Sequence, residues 1–79
     1  MSRQLFDDCV QRALDDYFRD LDPVEPSGLH TLILHAAERP LLQAVMARAG
    51  GNQSRAAQWL GINRNTLRRK LVEHGLDAP

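Results

Sequence analysis

Apolar residues recur every three or four positions in the first quarter of the chain. From Leu5 to Leu21 they form one stripe, while charged residues occupy the other face of the same segment. This spacing matches the repeat of an α-helix and predicts one long amphipathic helix. The helix should end at Asp22, because residues 22–28 contain two prolines and a glycine, which do not continue a helix. Ser27 is the predicted N-cap of the next helix.

A second helix is predicted from Gly28 to Ala49, and apolar residues occupy most of its circumference. Such a helix must be covered on more than one side. In a chain of 79 residues, only the first helix and a short C-terminal segment can cover it. We therefore expect the remaining apolar surface to be buried against a second copy of the chain. Pro40 lies inside this segment and predicts either a bend or two shorter helices separated at Arg39.

Two short helices are predicted in the last third of the chain. Asn52 and Asn63 are suitable N-caps for helices over about 53–60 and 64–74, and Gly75 ends the last one. The chain is therefore expected to be all-α, with two long N-terminal helices followed by a shorter pair. We assign residues 1–49 to a helical dimerisation region and residues 50–79 to a DNA-binding region, both within one compact domain.

The two short helices have the residue spacing of a helix-turn-helix. Ala56 and Ala57 are small, which lets two helices approach closely, and Gly61 follows Ala57 by four residues. Ile62 should pack under the turn, and Leu67 should anchor the second helix. This arrangement predicts that the last helix is a recognition helix that enters a DNA groove.

The charge distribution favours the same interpretation, although the net charge is zero. Residues 1–47 carry four basic and eight acidic residues, whereas residues 48–79 carry six basic and two acidic ones. The basic end can concentrate near phosphates, while the acidic half faces solvent or partner proteins. We therefore expect double-stranded DNA as the partner of the C-terminal region.

Candidate DNA contacts follow from side-chain chemistry. Arg64 leads the recognition helix, and its planar guanidinium can pair with both acceptors of a guanine, so we predict that it reads a base. Other side chains are suited to phosphates, which position the protein without specifying a sequence. These are two N-caps, two residues at the start of the preceding helix, and four on the recognition helix: Asn52, Asn63, Ser54, Arg55, Thr66, Arg68, Arg69 and Lys70.

The chain resembles the Fis family of bacterial DNA-binding proteins over nearly its whole length. The resemblance rests on residues 51–57 and 60–71, and extends upstream to residues 13–18 and 39–42. It implies a homodimer in which the first two helices of each subunit interlock. Two recognition helices then lie closer together than one DNA turn, so that binding bends the DNA and specificity depends largely on DNA deformability. The residues named above match the family's DNA contacts, with Arg64 at the position of the base reader.

Two departures from the family pattern limit these expectations. Better-known members have a mobile β-hairpin arm before the first helix, which contacts DNA invertases, whereas the first helix predicted here begins near residue 5. We therefore expect no stimulation of a recombinase. Gly50, Val72 and Glu73 stand where some members have basic residues, so fewer phosphate contacts and weaker binding are expected.

Two other functions remain open from the sequence. The same helix-turn-helix ends the NtrC-type activators, where it is fused to an ATPase, so the chain could be the output domain of such a protein. Its opening Met1 favours a stand-alone regulator acting in transcription at the nucleoid. A helical adaptor that docks proteins through its acidic half, without DNA, is the second alternative.

An enzyme is not expected. His30 and His35 project about 140° apart on a helix and make poor metal partners, so all three histidines, including His74, are predicted to lie on the surface. The sequence contains neither a glycine-rich phosphate loop nor paired cysteines. No metal, cofactor or small-molecule substrate is therefore predicted.

Three further expectations concern single features. The lone cysteine, Cys9, falls on the apolar stripe and is predicted to be a buried, inert thiol in a reducing cytoplasm. Trp59 is predicted to pack on the helix pair. The start of the chain lacks the continuous apolar run of a signal peptide or membrane span, so no membrane partner is expected.

Overall fold

The computed structural model describes residues 2–77, which form four α-helices and, within that range, no strand. The helices are α1 (Arg3–Leu21), α2 (Leu29–Arg48), α3 (Gln53–Leu60) and α4 (Arg64–Glu73). The all-α prediction is confirmed, and the predicted helix ends lie within about two residues of these bounds. Among the described residues, no helix is long and apolar enough to cross a membrane.

The start of α2 differs from the prediction. Its N-cap is Gly28 and not Ser27, and no side chain caps the helix. Gly28 has a φ of 61°, in the left-handed region, which glycine adopts without the steric cost that a Cβ imposes. The start of this helix therefore depends on the absence of a Cβ at Gly28 and not on a hydrogen bond to the hydroxyl group of Ser27.

The second helix runs unbroken through Pro40. The alternative of two shorter helices separated at Arg39 is therefore wrong. A proline in a helix interior removes one backbone hydrogen bond, but the neighbouring turns retain theirs. One continuous helix thus joins the N-terminal half of the chain to its C-terminal end.

The buried core lies where the second half of α2 meets α3 and α4. Both alanines predicted to allow close helix approach are buried, with Ala56 at 0% and Ala57 at 4% exposure. Large apolar side chains from α2 and α4 complete one cluster with them: Leu42, Leu67 and Leu71, with Ala49 after the end of α2. This cluster holds the helix-turn-helix to the long second helix.

In contrast, α1 has no buried residue. Leu5 and Phe6 are 71% and 52% exposed, and an apolar groove lined in part by Val10, Leu14 and Ile33 runs between α1 and α2. Cys9 is exposed, so the prediction of a buried thiol is wrong for the single chain. The stripe that carries Cys9 is apolar as predicted, but the described residues cover only part of it, for example at Val10 and Leu14.

Replacing Leu67 tests the buried cluster. Leu67 is 0% exposed, so Leu67→Ala should lower the free energy of unfolding by about 2 to 5 kcal/mol through lost contacts and a residual cavity. Val72 lies on the same helix but is 57% exposed, so Val72→Ala should change it by less than about 0.5 kcal/mol. Urea denaturation at one fixed chain concentration measures both. Equal losses in the two variants would contradict this assignment of the core.

Candidate nucleic-acid interface

The turn between α3 and α4 is closed by backbone hydrogen bonds. The amide of Ile62 donates to the carbonyl of Ala57 at 3.1 Å, and the amide of Gly61 donates to that of Gln58 at 3.2 Å. This pair of bonds defines a Schellman motif, which requires a left-handed residue, and Gly61 has a φ of 75°. The spacing of Ala57 and Gly61 thus follows from the hydrogen bonding that reverses the chain.

Both asparagines serve as N-caps, as predicted. The Asn52 side-chain oxygen accepts a hydrogen bond from the amide of Arg55 at 3.0 Å, and that of Asn63 accepts one from the amide of Asn65 at 2.7 Å. Each cap satisfies an amide at the start of its helix. The two asparagines are also exposed, so capping does not remove them from the surface.

The beginnings of α3 and α4 face one open groove. Its lining includes Asn52 and Ser54 from the start of α3, and Arg64 and Arg68 from α4. Within residues 2–77, neither arginine forms a salt bridge. The groove therefore combines a helix N-terminus, a hydroxyl group and two uncompensated guanidinium groups, which is chemistry suited to an anion such as phosphate.

The remaining predicted DNA contacts differ in their exposure and in their partners. Arg55 is exposed, and Thr66 is half-buried. Arg69 is exposed and lies 3.6 Å from a carboxylate oxygen of Glu73, one helical turn further on. Such an exposed ion pair contributes little to stability, and it leaves Arg69 accessible to a ligand.

Lys70 is held inside the fold by an acidic residue on α2. Its Nζ donates to Oε2 of Glu38 at 2.9 Å, and both side chains are about one-quarter exposed. His74 Nε2 lies 2.9 Å from the other oxygen, Oε1. The hydrogen bonds from Lys70 and His74 lower the pKa of Glu38, and the positive charge of Lys70 adds to the effect. The sequence pattern does not predict this junction, because Glu38 lies 32 residues before Lys70.

Two aromatic positions differ from the predictions. His74 is only 7% exposed, so it is not a surface histidine. Its backbone carbonyl accepts a hydrogen bond from Arg39, and its ring stacks on that of His35 at a centroid distance of 4.1 Å. Trp59 is 54% exposed and is not covered by the helix pair. The small side chains of Ala56 and Ala57 form the buried face of α3 and leave the indole outside it.

The tight turn, the two capped helices and the basic groove define a helix-turn-helix protein, an architecture common in DNA-binding regulators. Comparison with known proteins supports the same class of protein. Residues 33–74 match the family model described as bacterial regulatory protein, Fis family. The chain therefore belongs to the Fis family, a family of DNA-binding regulators.

Two relatives illustrate the similarity. A protein from Ralstonia nicotianae is 55% identical over 76 residues, covering 96% of this chain and 99% of the relative. A protein from Neisseria meningitidis serogroup A is 53% identical over 68 residues, covering 86% of each chain. Both are described by name as Fis-like DNA-binding proteins. The similarity thus extends well beyond the helix-turn-helix.

Replacing Glu38 tests the junction between α2 and α4. Glu38→Gln should lower the free energy of unfolding at neutral pH by about 1 kcal/mol, because charge-assisted hydrogen bonds contribute more than neutral ones and partial exposure reduces the gain. The folded-state pKa of Glu38 lies below its ordinary value of 4.5. This stabilisation is therefore fully present above pH 4.5 and is lost as pH falls through the folded-state pKa.

Urea denaturation at neutral pH and in acid measures the difference between the wild type and the variant. Glu73→Gln is the matched control, because its partner Arg69 is exposed and 3.6 Å away. This control should change stability by less than about 0.5 kcal/mol. A Glu38→Gln effect that stayed constant from neutral pH into acid would argue against the ion pair.

Proposed function

We propose that this protein is a homodimer that binds and bends double-stranded DNA with modest sequence preference, as a nucleoid-associated transcription regulator in the cytoplasm. The observation that carries the proposal is the open groove that joins the start of α3 to the first turns of α4. Its two arginines have no acidic partner within the described chain. Relatives that share more than half of their residues with this chain are DNA-binding by name. The protein acts by binding and not by catalysis.

The proposed contacts divide by chemistry. Arg64 at the start of α4 reads a base edge, where a guanidinium can donate two hydrogen bonds to guanine. The other contacts go mainly to phosphates and fix the position of the helix-turn-helix on the duplex. They are Asn52, Ser54, Arg55, Asn63, Thr66, Arg68 and Arg69, together with Lys70, which must give up its ion pair with Glu38 to reach a phosphate. With few base contacts, sequence preference depends largely on how easily the DNA deforms.

The surface of the single chain supports dimerisation through residues 1–49. The chain exposes 6429 Å², about 1,600 Å² more than the roughly 4,800 Å² expected for a folded monomer of its mass. Burying that excess on each of two subunits would give an interface of the size found in obligate dimers. The radius of gyration, 15.0 Å, likewise exceeds the value of about 12 Å expected for a compact chain of this length.

DNA bending follows from the proposed dimer. The core cluster attaches α4 to α2, so a partner bound through α1 and α2 would present a second α4 at a fixed distance. The family resemblance implies a distance shorter than one DNA turn. A straight duplex could not place two successive major grooves on both helices, and it would have to bend.

Replacing the two groove arginines should separate their roles. Arg64→Ala should weaken binding by about 1 to 3 kcal/mol and reduce discrimination between preferred and random duplexes. Arg68→Ala should weaken binding to all sequences alike and make the dependence on salt less steep by about one phosphate contact. Arg19→Ala, which removes the same charge from the acidic half, is the control. Fluorescence anisotropy at several salt concentrations measures all three, and the same loss of discrimination in both groove variants would reject this division of roles.

Sedimentation equilibrium at micromolar concentration tests dimerisation. We expect twice the chain mass of 8.9 kDa. Leu41 on α2 is 52% exposed, and Leu41→Glu should weaken self-association because it would bury a charge. Gln43→Glu changes an exposed polar residue nearby on the same helix and should have little effect. A wild-type chain that sediments as a monomer would contradict the proposed dimer.

Bending can be measured with circularly permuted duplexes. If the dimer bends its site, gel mobility of the complex should depend on where the site lies, with the lowest mobility for central sites. A duplex of random sequence bound at low salt serves as the comparison. Mobility that does not vary with site position would reject bending while leaving DNA binding intact.

A further inference from the structure

We propose that His35, Glu38 and His74 form a binding site for Zn²⁺ at the junction of α2 and α4. Each residue offers one ligand atom, and these three atoms lie within 4.8 Å of one another. Two imidazoles and one carboxylate are ligands that Zn²⁺ accepts, with water in the fourth position of a tetrahedron. The site goes beyond the proposed DNA binding and does not depend on it.

Two of the three ligand atoms are separated by nearly the distance expected between two ligands of one zinc ion. His74 Nε2 and Glu38 Oε1 are 2.9 Å apart, and two ligands at about 2.0 to 2.1 Å from a tetrahedral zinc ion lie roughly 3.3 Å apart. An ion between them would take the place of one hydrogen bond. The two atoms must separate by about 0.4 Å and turn away from the line that joins them, so this pair lies near a coordination geometry without yet having it.

His35 is the ligand that must move. Its ring stacks on His74 at 4.1 Å with an angle of 20° between the planes, and stacked rings do not point their nitrogens at one ion. Because His35 is exposed, its side chain is free to change rotamer. An open groove lined by residues that include His30, His35 and Glu38 adjoins it, and this groove gives access to the ion and to a water ligand.

The residues around the three ligands would have two opposite effects on zinc binding. Their hydrogen bonds would orient the ligands, whereas the charge of Lys70 would repel the ion. Lys70 holds the second carboxylate oxygen of Glu38 at 2.9 Å, which fixes the orientation of the ligand as outer hydrogen-bond partners do in metal sites. Arg39 binds the backbone carbonyl of His74 and fixes the position of the third ligand. The positive charge of Lys70 opposes the ion, so we expect weaker binding than in a structural zinc site.

Isothermal titration calorimetry with ZnCl₂ tests the site on the full chain. A Cys9→Ser background removes the one thiol of the sequence, which could bind zinc by itself. We expect one Zn²⁺ per chain and a higher Tm in its presence, because an ion that binds only the folded state stabilises it. With Co²⁺ in place of Zn²⁺, a visible absorption band typical of four-coordinate Co²⁺ should appear.

Three variants in this background identify the ligands. His35→Ala should weaken zinc binding at least about tenfold without unfolding the chain, because His35 is exposed. Glu38→Gln should have the same effect, with circular dichroism as the check on folding. His30→Ala changes another exposed histidine that lines the same groove and should leave binding unchanged. An absence of saturable binding, or full affinity in His35→Ala, would overturn the proposal, whatever the result for DNA.

Discussion

The attachment of α4 to α2 determines both the stability of the folded chain and the position of α4. Leu42 of α2 and Leu67 and Leu71 of α4 are each at most 1% exposed and belong to one apolar cluster. A chain of this size has few such side chains, so their burial supplies much of the stability available to the single subunit. The same contacts also set the direction of the recognition helix relative to the long helix that carries it.

Polar contacts add directionality to that apolar attachment. Glu38 on α2 contacts the side chains of Lys70 and His74 near the other end of the chain. Arg39 donates a hydrogen bond to the backbone carbonyl of His74, directly after α4. Apolar packing alone is not directional, whereas hydrogen bonds require particular distances and angles. The two kinds of contact together make α2 and the helix-turn-helix one unit, and a partner subunit bound to α2 would thereby fix two recognition helices at once.

Local features could be predicted from the sequence, and features that depend on distant residues could not. The caps Asn52 and Asn63 and the turn at Gly61 use hydrogen bonds between residues at most five apart, so a short stretch of sequence contains all their determinants. The sequence predicts Lys70 as a phosphate contact and gives no sign of its ion pair, because its partner, Glu38, lies on another helix. Cys9 lies on an apolar stripe, as predicted, but it is exposed, because the described residues do not cover that part of the stripe.

The proposed dimer of α1 and α2 would hold two copies of α4 at a fixed separation. Electron–electron double resonance measures it directly in the free protein, with a spin label on Asn65→Cys in a Cys9→Ser background, since residue 65 lies in the exposed first turn of α4. If the proposed dimer forms, one narrow distance distribution is expected, centred below the roughly 34 Å of one DNA turn. The absence of dipolar coupling, or a broad distribution extending well beyond that length, would contradict it.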